Sequence, residues 1–251
     1  MEQNDRLKLG IIFNFNPVWM GGIIYILNLI RTLNFLNDEE KPEIYLFYRD
    51  DLKTFADSIK YPRLHLIRWA FPPVATGYLR SWLTRKNSFV SEILKKHELD
   101  GLYPLHDYPV KTRSNTRLVS WYADLQHEFY PEFFSRRKII ERTLRIKFIL
   151  KNSDDLVVSS KAVADDFRRF FRLRKKLRMH VFHFVSVIED IDSLDISEIR
   201  GKYNLPEDYY MISNQFHKHK NHRVLLRSLA LLKEEGREIH MAMTGRFPDA
   251  D

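Results

Sequence analysis

A histidine and two carboxylates follow directly on an apolar run of the chain, in the segment WYADLQHE at 121–128. The imidazole of His127 could hydrogen-bond to a substrate or exchange a proton with it, because histidine titrates close to neutral pH. Asp124 or Glu128 could orient that imidazole. We therefore take His127 and Asp124 as candidate catalytic residues. The alternative is that His127 is a partly exposed loop histidine without a role in catalysis.

Gly21 and Gly22 separate one apolar run from a second apolar segment with helical spacing, in a chain with only 8 glycines. Adjacent glycines let backbone amides approach a ligand at a helix N-terminus, where the partial positive charge suits a phosphate. A tight turn without a ligand would use the same two residues. The dinucleotide-binding fingerprint G-x-G-x-x-G is absent, which disfavours a nicotinamide-dependent oxidoreductase.

The segment NQFHKHKN at 214–221 is a second candidate anion site. Asn221 is a natural helix N-cap, so Lys220 would stand at a helix N-terminus, where its ammonium and the free amides attract a negative group. Three histidines lie in or beside the segment, namely His217, His219 and His222. A short loop with histidines two residues apart, without cysteine or a nearby carboxylate, lacks a usual metal ligand set, so we expect no bound metal.

The elements that position these residues follow from the hydrophobic periodicity. Short β-branched or aromatic runs alternate with helical patterns, which predicts an α/β fold with a doubly wound parallel sheet. Ligands bind such a sheet at the carboxyl ends of its strands, where the Asp124–His127 loop would lie. The predicted strands are 7–14, 43–48, 63–69, 101–105, 117–122, 155–159, 179–184, 209–213 and 239–244. The predicted helices are 22–37, 52–59, 78–97, 136–151, 161–171 (capped by Ser160) and 221–235.

A change of composition divides the chain. Residues 185–197 are acidic and have no helical period. They predict a linker over 186–197, between an N-terminal domain at 1–185 and a second domain at 198–251. One helix and two strands cannot cover both faces of a sheet, so we expect the second domain to be an incomplete start.

Composition and charge exclude several classes of protein. With 44% hydrophobic residues and no cysteine, the chain is predicted to pack without disulfides, thiolate metal sites or a cysteine nucleophile, which fits the cytoplasm. Polar and glycine residues interrupt the apolar stretch 7–30, so we expect no membrane-spanning helix.

The net charge of +8 is concentrated in residues 136–178, which contain 15 basic and 5 acidic residues. The block suggests an anionic membrane, a phosphorylated substrate or nucleic acid as partner, or solvated helix faces. No nucleic-acid-binding motif accompanies it, so specific nucleic-acid recognition is the least favoured.

Four separated motifs together resemble those of the group 1 glycosyltransferases (glycosyltransferase family 4). They are NPVWMGG at 16–22, DLQHEFYPEFF at 124–134, VVSSKAVADDF at 157–167, and NQFHKHKNH at 214–222 followed by LALLK. The resemblance implies the GT-B architecture, in which two Rossmann-like domains hold a nucleotide-sugar in a cleft. It also implies acceptor contacts on the first domain, where Trp121 and Tyr122 lie, and transfer with retention without a required metal or other cofactor.

The resemblance assigns roles to individual positions. Gly21 and Gly22 match the family's glycine loop near the donor phosphate, and His127 matches a histidine near the transferred sugar. Lys220 matches the phosphate-binding lysine of the second domain. Asn214 and Gln215 replace a Gly-Arg pair, so the arginine is lost and Gln215 can only donate a hydrogen bond.

Members of the family carry two glutamates separated by seven residues, which hold the donor sugar and its ribose. This chain has no such pair of glutamates. We therefore expect a truncated glycosyltransferase that moves a sugar from a nucleoside diphosphate-sugar to a carbohydrate or lipid-linked hydroxyl acceptor in the cytoplasm. The basic block at 136–178 allows peripheral contact with an anionic membrane. The alternative is a catalytically inactive GT-B fragment that binds an anionic membrane or a polyanion.

Overall fold

A computed structural model describes residues 6–188 and 191–247 of the chain. The chain divides into two compact units at Val187 and Ile188. The first unit is built on a seven-stranded, wholly parallel sheet with the order β3-β2-β1-β4-β5-β6-β7. Its strands are β1 (Lys8–Phe13), β2 (Glu43–Tyr48), β3 (Leu64–Arg68), β4 (Gly101–Leu105), β5 (Arg117–Tyr122), β6 (Asp155–Val158) and β7 (Arg178–Val181).

Neighbouring residues of a strand point to opposite faces of the sheet, so both faces present apolar side chains. Helices cover both faces. On β1, Ile12 packs into one apolar cluster with Ile146 and Phe167, whereas Ile11 and Phe13 pack into another. The helices of the first unit are α1 (Met20–Thr32), α2 (Lys53–Asp57), α3 (Val74–Thr84), α4 (Ser91–Lys96), α5 (Gln126–Phe129), α6 (Arg136–Asn152) and α7 (Lys161–Phe170). The predicted doubly wound α/β fold is confirmed.

The prediction of one helix over 78–97 was wrong, because the chain breaks there into α3 and α4. Arg85 ends α3 in the left-handed region, with φ of 54°. The Asn87 carbonyl then accepts from the amides of Val90 and Ser91, which turns the chain into α4. Phe89 packs against α3 at Gly77, where an added Cβ would lie 2.3 Å from the ring.

Serine side chains cap the N-termini of α6 and α7. The Ser135 hydroxyl accepts from the Lys138 amide at 3.3 Å and begins α6, and the Ser160 hydroxyl accepts from the Val163 amide at 3.2 Å and begins α7. The predicted cap at Ser160 is thus confirmed. Such caps satisfy amides that have no partner within the helix.

The second unit contains α8 (Ile196–Tyr203), β8 (Tyr210–Ser213), α9 (His222–Glu234) and β9 (Met241–Thr244), and its two strands are parallel. Within the segment 186–197 that was predicted as a linker, a 3-10 turn lies at 191–193 and α8 begins at Ile196. The Asp195 carboxylate starts that helix by accepting from two amides. Asn221 precedes α9 in the left-handed region and makes no side-chain cap, contrary to prediction.

No helix in the described ranges is both long and apolar enough to cross a bilayer.

Candidate substrate cleft

A cleft of about 570 Å³ opens in the first unit at the carboxyl ends of the strands. It lies where the strand order reverses, between β1 and β4, which is the position at which open α/β sheets bind ligands. Residues at and directly after the carboxyl ends of β1, β4 and β5 line its base, and α6 lines one side. They include Asn14, Phe15, His106, Asp107, Trp121, Tyr122, Asp124, Glu141, Arg142 and Arg145.

Stacked aromatic rings form one wall of the cleft. The Trp121 indole is buried and lies parallel to the Tyr25 ring, with 4.4 Å between centroids and 3° between planes. The half-exposed Trp19 indole stacks on Trp121 at 5.9 Å, and Phe15 meets both indoles edge-on. Trp121 thus lies at the cleft as a buried support for the exposed Trp19 indole, and its predicted contact with an acceptor stays a prediction.

Gly21 and Gly22 lie in the first turn of α1 instead of in a loop before it. A Cβ at Gly22 would lie 2.6 Å from two carbons of the Trp19 indole and 2.9 Å from the Phe15 ring. At Gly21 the nearest atom would be Trp19 Nε1, at 3.3 Å. The indole covers both glycines, so their small size has a packing reason that the sequence did not reveal.

Charged pairs surround the opposite side of the cleft. Arg142 Nη2 donates to Asp124 Oδ1 at 2.9 Å, and Arg145 Nε donates to Asp107 Oδ1 at 2.9 Å. The Arg142 guanidinium also lies 5.9 Å from the centroid of the Tyr122 ring. Asp124 and Tyr122 both line the cleft, and the Asp124 carboxylate is bound to an arginine.

His127 lies beneath the cleft and does not line it. Its side chain is completely buried, and neither ring nitrogen has a hydrogen-bond partner among the described residues. Glu128 Oε1 lies 3.4 Å from Nε2, which places the predicted orienting carboxylate beside the ring. Burial, and then the nearby Arg142, lower the pKa of His127 to about 4, so the ring is neutral at pH 7.

The imidazole that lines the cleft is His106, directly after β4, which the sequence analysis did not identify. Its ring lies edge-on to Phe15 at 4.9 Å and to Trp121 at 5.2 Å. Nε2 is buried without a partner in the described structure, and burial lowers the pKa of His106 to about 3. The position at the end of a central strand, in the segment LHDY, is the signal that could have found it.

A second, mostly apolar cavity of about 390 Å³ adjoins the cleft and shares Trp19, Trp121 and Asp124 with it. Gly21 lines this second cavity, on the side formed by α1. Gly22 lines neither cavity. The structure therefore brings Gly21, Trp121 and Asp124 together around adjoining spaces, while His127 lies below them.

The other predicted residues lie in the second unit. Lys220 is the exposed last residue of the 3-10 turn Lys218–Lys220, immediately before Asn221 and α9. Gln215 Oε1 lies 2.6 Å from His217 Nε2, and the Asn214 amide donates to the Thr244 carbonyl at 3.0 Å. Within the described ranges, no group of three histidine or carboxylate side chains is placed to hold a metal ion.

No family model and no curated protein matches the chain. Among solved structures, it is similar to a glycosyltransferase from Rickettsia africae ESF-5, with a TM-score of 0.53 and 15% identity over 96% of this chain and 61% of that one. HepE from Anabaena, solved in complex with UDP-glucose, matches with a TM-score of 0.46 and 13% identity, over 96% of this chain and 69% of that one. The chain thus spans 61% of the length of the Rickettsia protein and shares the fold of a glycosyltransferase.

Proposed function

We propose that the chain is part of a glycosyltransferase that moves a sugar from a nucleoside diphosphate-sugar to a hydroxyl acceptor. The observation that carries the proposal is the cleft at the strand-order reversal, with aromatic faces on one side and charged pairs on the other. The motif resemblance and the shared fold support the same class of reaction. Fold alone would not, because one fold serves many functions.

The chemistry of the cleft suits a neutral, hydroxyl-rich acceptor. The half-exposed Trp19 indole, which rests on the buried Trp121, can pack against the C–H face of a sugar ring. Asp107 and Asp124 can accept hydrogen bonds from hydroxyl groups while their arginine partners donate to them. Because each carboxylate is already paired, the cleft does not need a charged ligand to balance it.

His106 is the cleft residue best suited to contact an acceptor hydroxyl. Its ring is neutral, so it can accept a hydrogen bond, and Nδ1 is the nitrogen that remains for a ligand because Nε2 is enclosed. The resemblance implies that His127 lies near the transferred sugar, but its buried ring would first have to become exposed. In the present structure we assign His127 the role of positioning the loop that carries Asp124.

The second unit would bind the donor. Lys220 is an exposed cation just before α9, and a lysine there can balance the charge that develops on a nucleoside diphosphate leaving group. Asn214 and Gln215 lie on the loop after β8, where they can add hydrogen bonds. Membership of the group 1 family and retention of configuration belong to the proposal on the strength of the shared motifs.

Titration calorimetry of the full chain with UDP, GDP and ADP tests the donor part of the proposal. We expect one of them to bind and Lys220→Ala to weaken it by about 10- to 100-fold, because a hydrogen bond to a charged group contributes about 1.5–3 kcal/mol. Lys233→Ala, which removes an equal charge from the other end of α9, is the matched control and should bind normally. Equal affinities of the two variants would remove Lys220 from the site.

A further inference from the structure

Two helices of the first unit expose large apolar side chains. On α3, Leu79, Trp82 and Leu83 are 56%, 49% and 76% exposed. On α6, Ile140 and Leu144 are 60% and 49% exposed. Single large apolar side chains are often exposed on protein surfaces and need no explanation. A group of them on two neighbouring helices does.

The exposed side chains form one surface. The Trp82 ring lies 5.7 Å from the Phe148 ring of α6, which joins the two helices. Phe148, Leu144 and Ile140 follow one another at intervals of four residues, so they are neighbours along one side of α6. On α3, Leu79 lies three residues before Trp82 and four before Leu83, so it is a neighbour of both. We call these residues, Leu79, Trp82, Leu83, Ile140, Leu144 and Phe148, the α3–α6 surface.

Basic residues surround the α3–α6 surface. Arg136 and Lys147 lie four residues before Ile140 and three after Leu144, and Lys151 follows one turn later. Arg85 and Lys86 follow the end of α3. None of these five cations has an ion-pair partner within the described ranges. By contrast, the cations of α6 that line the cleft, Lys138, Arg142 and Arg145, are each paired with a carboxylate.

We propose that the α3–α6 surface docks on an anionic lipid bilayer. Cations without acidic partners are complementary to anionic headgroups, and apolar side chains among them can enter the boundary between headgroups and acyl chains. A soluble polyanion would satisfy the cations but would leave Trp82, Leu83 and Ile140 in water. The combination of both features therefore selects a membrane as the partner.

Docking by this surface would place the cleft beside the bilayer. Val74 of α3 and the paired cations of α6 line the cleft, so both helices border it. The acceptor would then be a hydroxyl group on a lipid-linked molecule held at the headgroup level. This assignment of the acceptor rests on the proposed function, whereas docking itself does not.

Co-sedimentation of the full chain with phosphatidylglycerol and phosphatidylcholine vesicles tests the docking without any donor or acceptor. We expect binding to phosphatidylglycerol that weakens as salt rises, because surface charge is screened. Leu83→Ser with Ile140→Ser should lower the partition coefficient at least about tenfold, since two apolar side chains no longer enter the lipid. Lys147→Gln with Lys151→Gln should lower it by about 25-fold, at about fivefold for each charge.

Two matched variants show whether the surface itself is responsible. Phe35→Ser changes a side chain that is 79% exposed and belongs to neither helix, and Lys175→Gln with Lys176→Gln removes two charges from the same basic block. Both should bind vesicles like the unaltered chain. Equal losses in test and control variants, or no binding to phosphatidylglycerol at low salt, would overturn the proposal.

A polyanion is the remaining outcome to separate. Binding of heparin or DNA that competes with vesicles and is unaffected by Leu83→Ser and Ile140→Ser would also overturn the proposal. Circular dichroism checks that each variant is folded. Nucleoside diphosphate affinity, measured on the same preparations, reports on the proposed function separately, so the failure of one idea is distinguishable from the failure of the other.

Discussion

Replacing Gly22 with alanine tests the packing on which the aromatic wall depends. The added methyl would lie 2.6 Å from the Trp19 indole, which is 44% exposed and can only give way by turning toward solvent. That movement would break the contacts of Trp19 with Phe15 and with Trp121. Each aromatic pair contributes about 0.5–1.5 kcal/mol, so the loss is about 1–3 kcal/mol.

Alanine offsets part of this loss, because it favours a helix over glycine by up to about 1 kcal/mol. We therefore expect Gly22→Ala to lower the free energy of unfolding by about 1 kcal/mol, since overpacking outweighs helix propensity. Gly21→Ala is the matched control, because its methyl would come no nearer to the Trp19 indole than 3.3 Å, at Nε1. There the helix preference dominates, and stability should stay equal or rise by up to about 1 kcal/mol.

Urea unfolding followed by circular dichroism measures both variants. In a Trp19→Ala background, the cost of Gly22→Ala should fall markedly, because the indole that the methyl displaces is absent. The reasoning is refuted if Gly22→Ala is as stable as Gly21→Ala, or if its cost persists unchanged without Trp19.

Three further predictions concern the cleft, the sheet and the cap of α7. His106→Ala should lower kcat/KM for the acceptor about 3- to 10-fold, as expected for the loss of one uncharged hydrogen bond. Because the pKa of His106 is lowered to about 3, the ratio of kcat/KM between the variant and the unaltered protein should stay constant from pH 5 to pH 8. A ratio that changes near pH 6.5 would contradict this. Burial raises the pKa of Asp155, but hydrogen bonds from Arg117, Arg178 and His180 outweigh it and hold the pKa well below its usual value. Its stabilisation is therefore present above the unfolded pKa of about 4 and is lost as pH falls toward the folded pKa. Asp155→Asn should lower the free energy of unfolding at pH 7 by about 1.5–3 kcal/mol, and by much less near pH 2, in urea unfolding at both pH values; an equal loss at both would be inconsistent with this. Ser160→Ala should cost about 1 kcal/mol through loss of the α7 cap, measured by thermal unfolding, and no change would mean that the hydroxyl contributes nothing.

The strands and the fold class were predictable because their signals are local and repeated. The five-residue run 101–105 and the six-residue run 117–122 became strands with unchanged bounds, since each is an apolar segment between polar ones. The helix break at Arg85 was not predictable in the same way. It depends on a left-handed residue and on Phe89 reaching Gly77, which are features of tertiary packing.

The place of the cleft was predictable from the sequence, but its details were not. Trp121 lies in the central strand β5 and Asp124 follows it, at the edge where parallel sheets bind ligands, and both line the cleft. Their contact with a substrate stays a prediction. Sequence patterns could not show that the His127 side chain is buried while His106 lines the cleft, because the burial of each imidazole depends on tertiary packing. They also could not show that the Trp19 indole lies over both glycines.

Release of nucleoside diphosphate from UDP-, GDP- and ADP-sugars tests the central claim most directly. The protein of which this chain is proposed to be part is incubated with each donor and a hydroxyl acceptor, and the released diphosphate is quantified. We predict release from one class of nucleotide, a strong loss with Lys220→Ala, and normal release with Lys233→Ala. No release above background from any donor, together with no binding of any nucleoside diphosphate, would contradict the assignment of this chain to a sugar transfer enzyme.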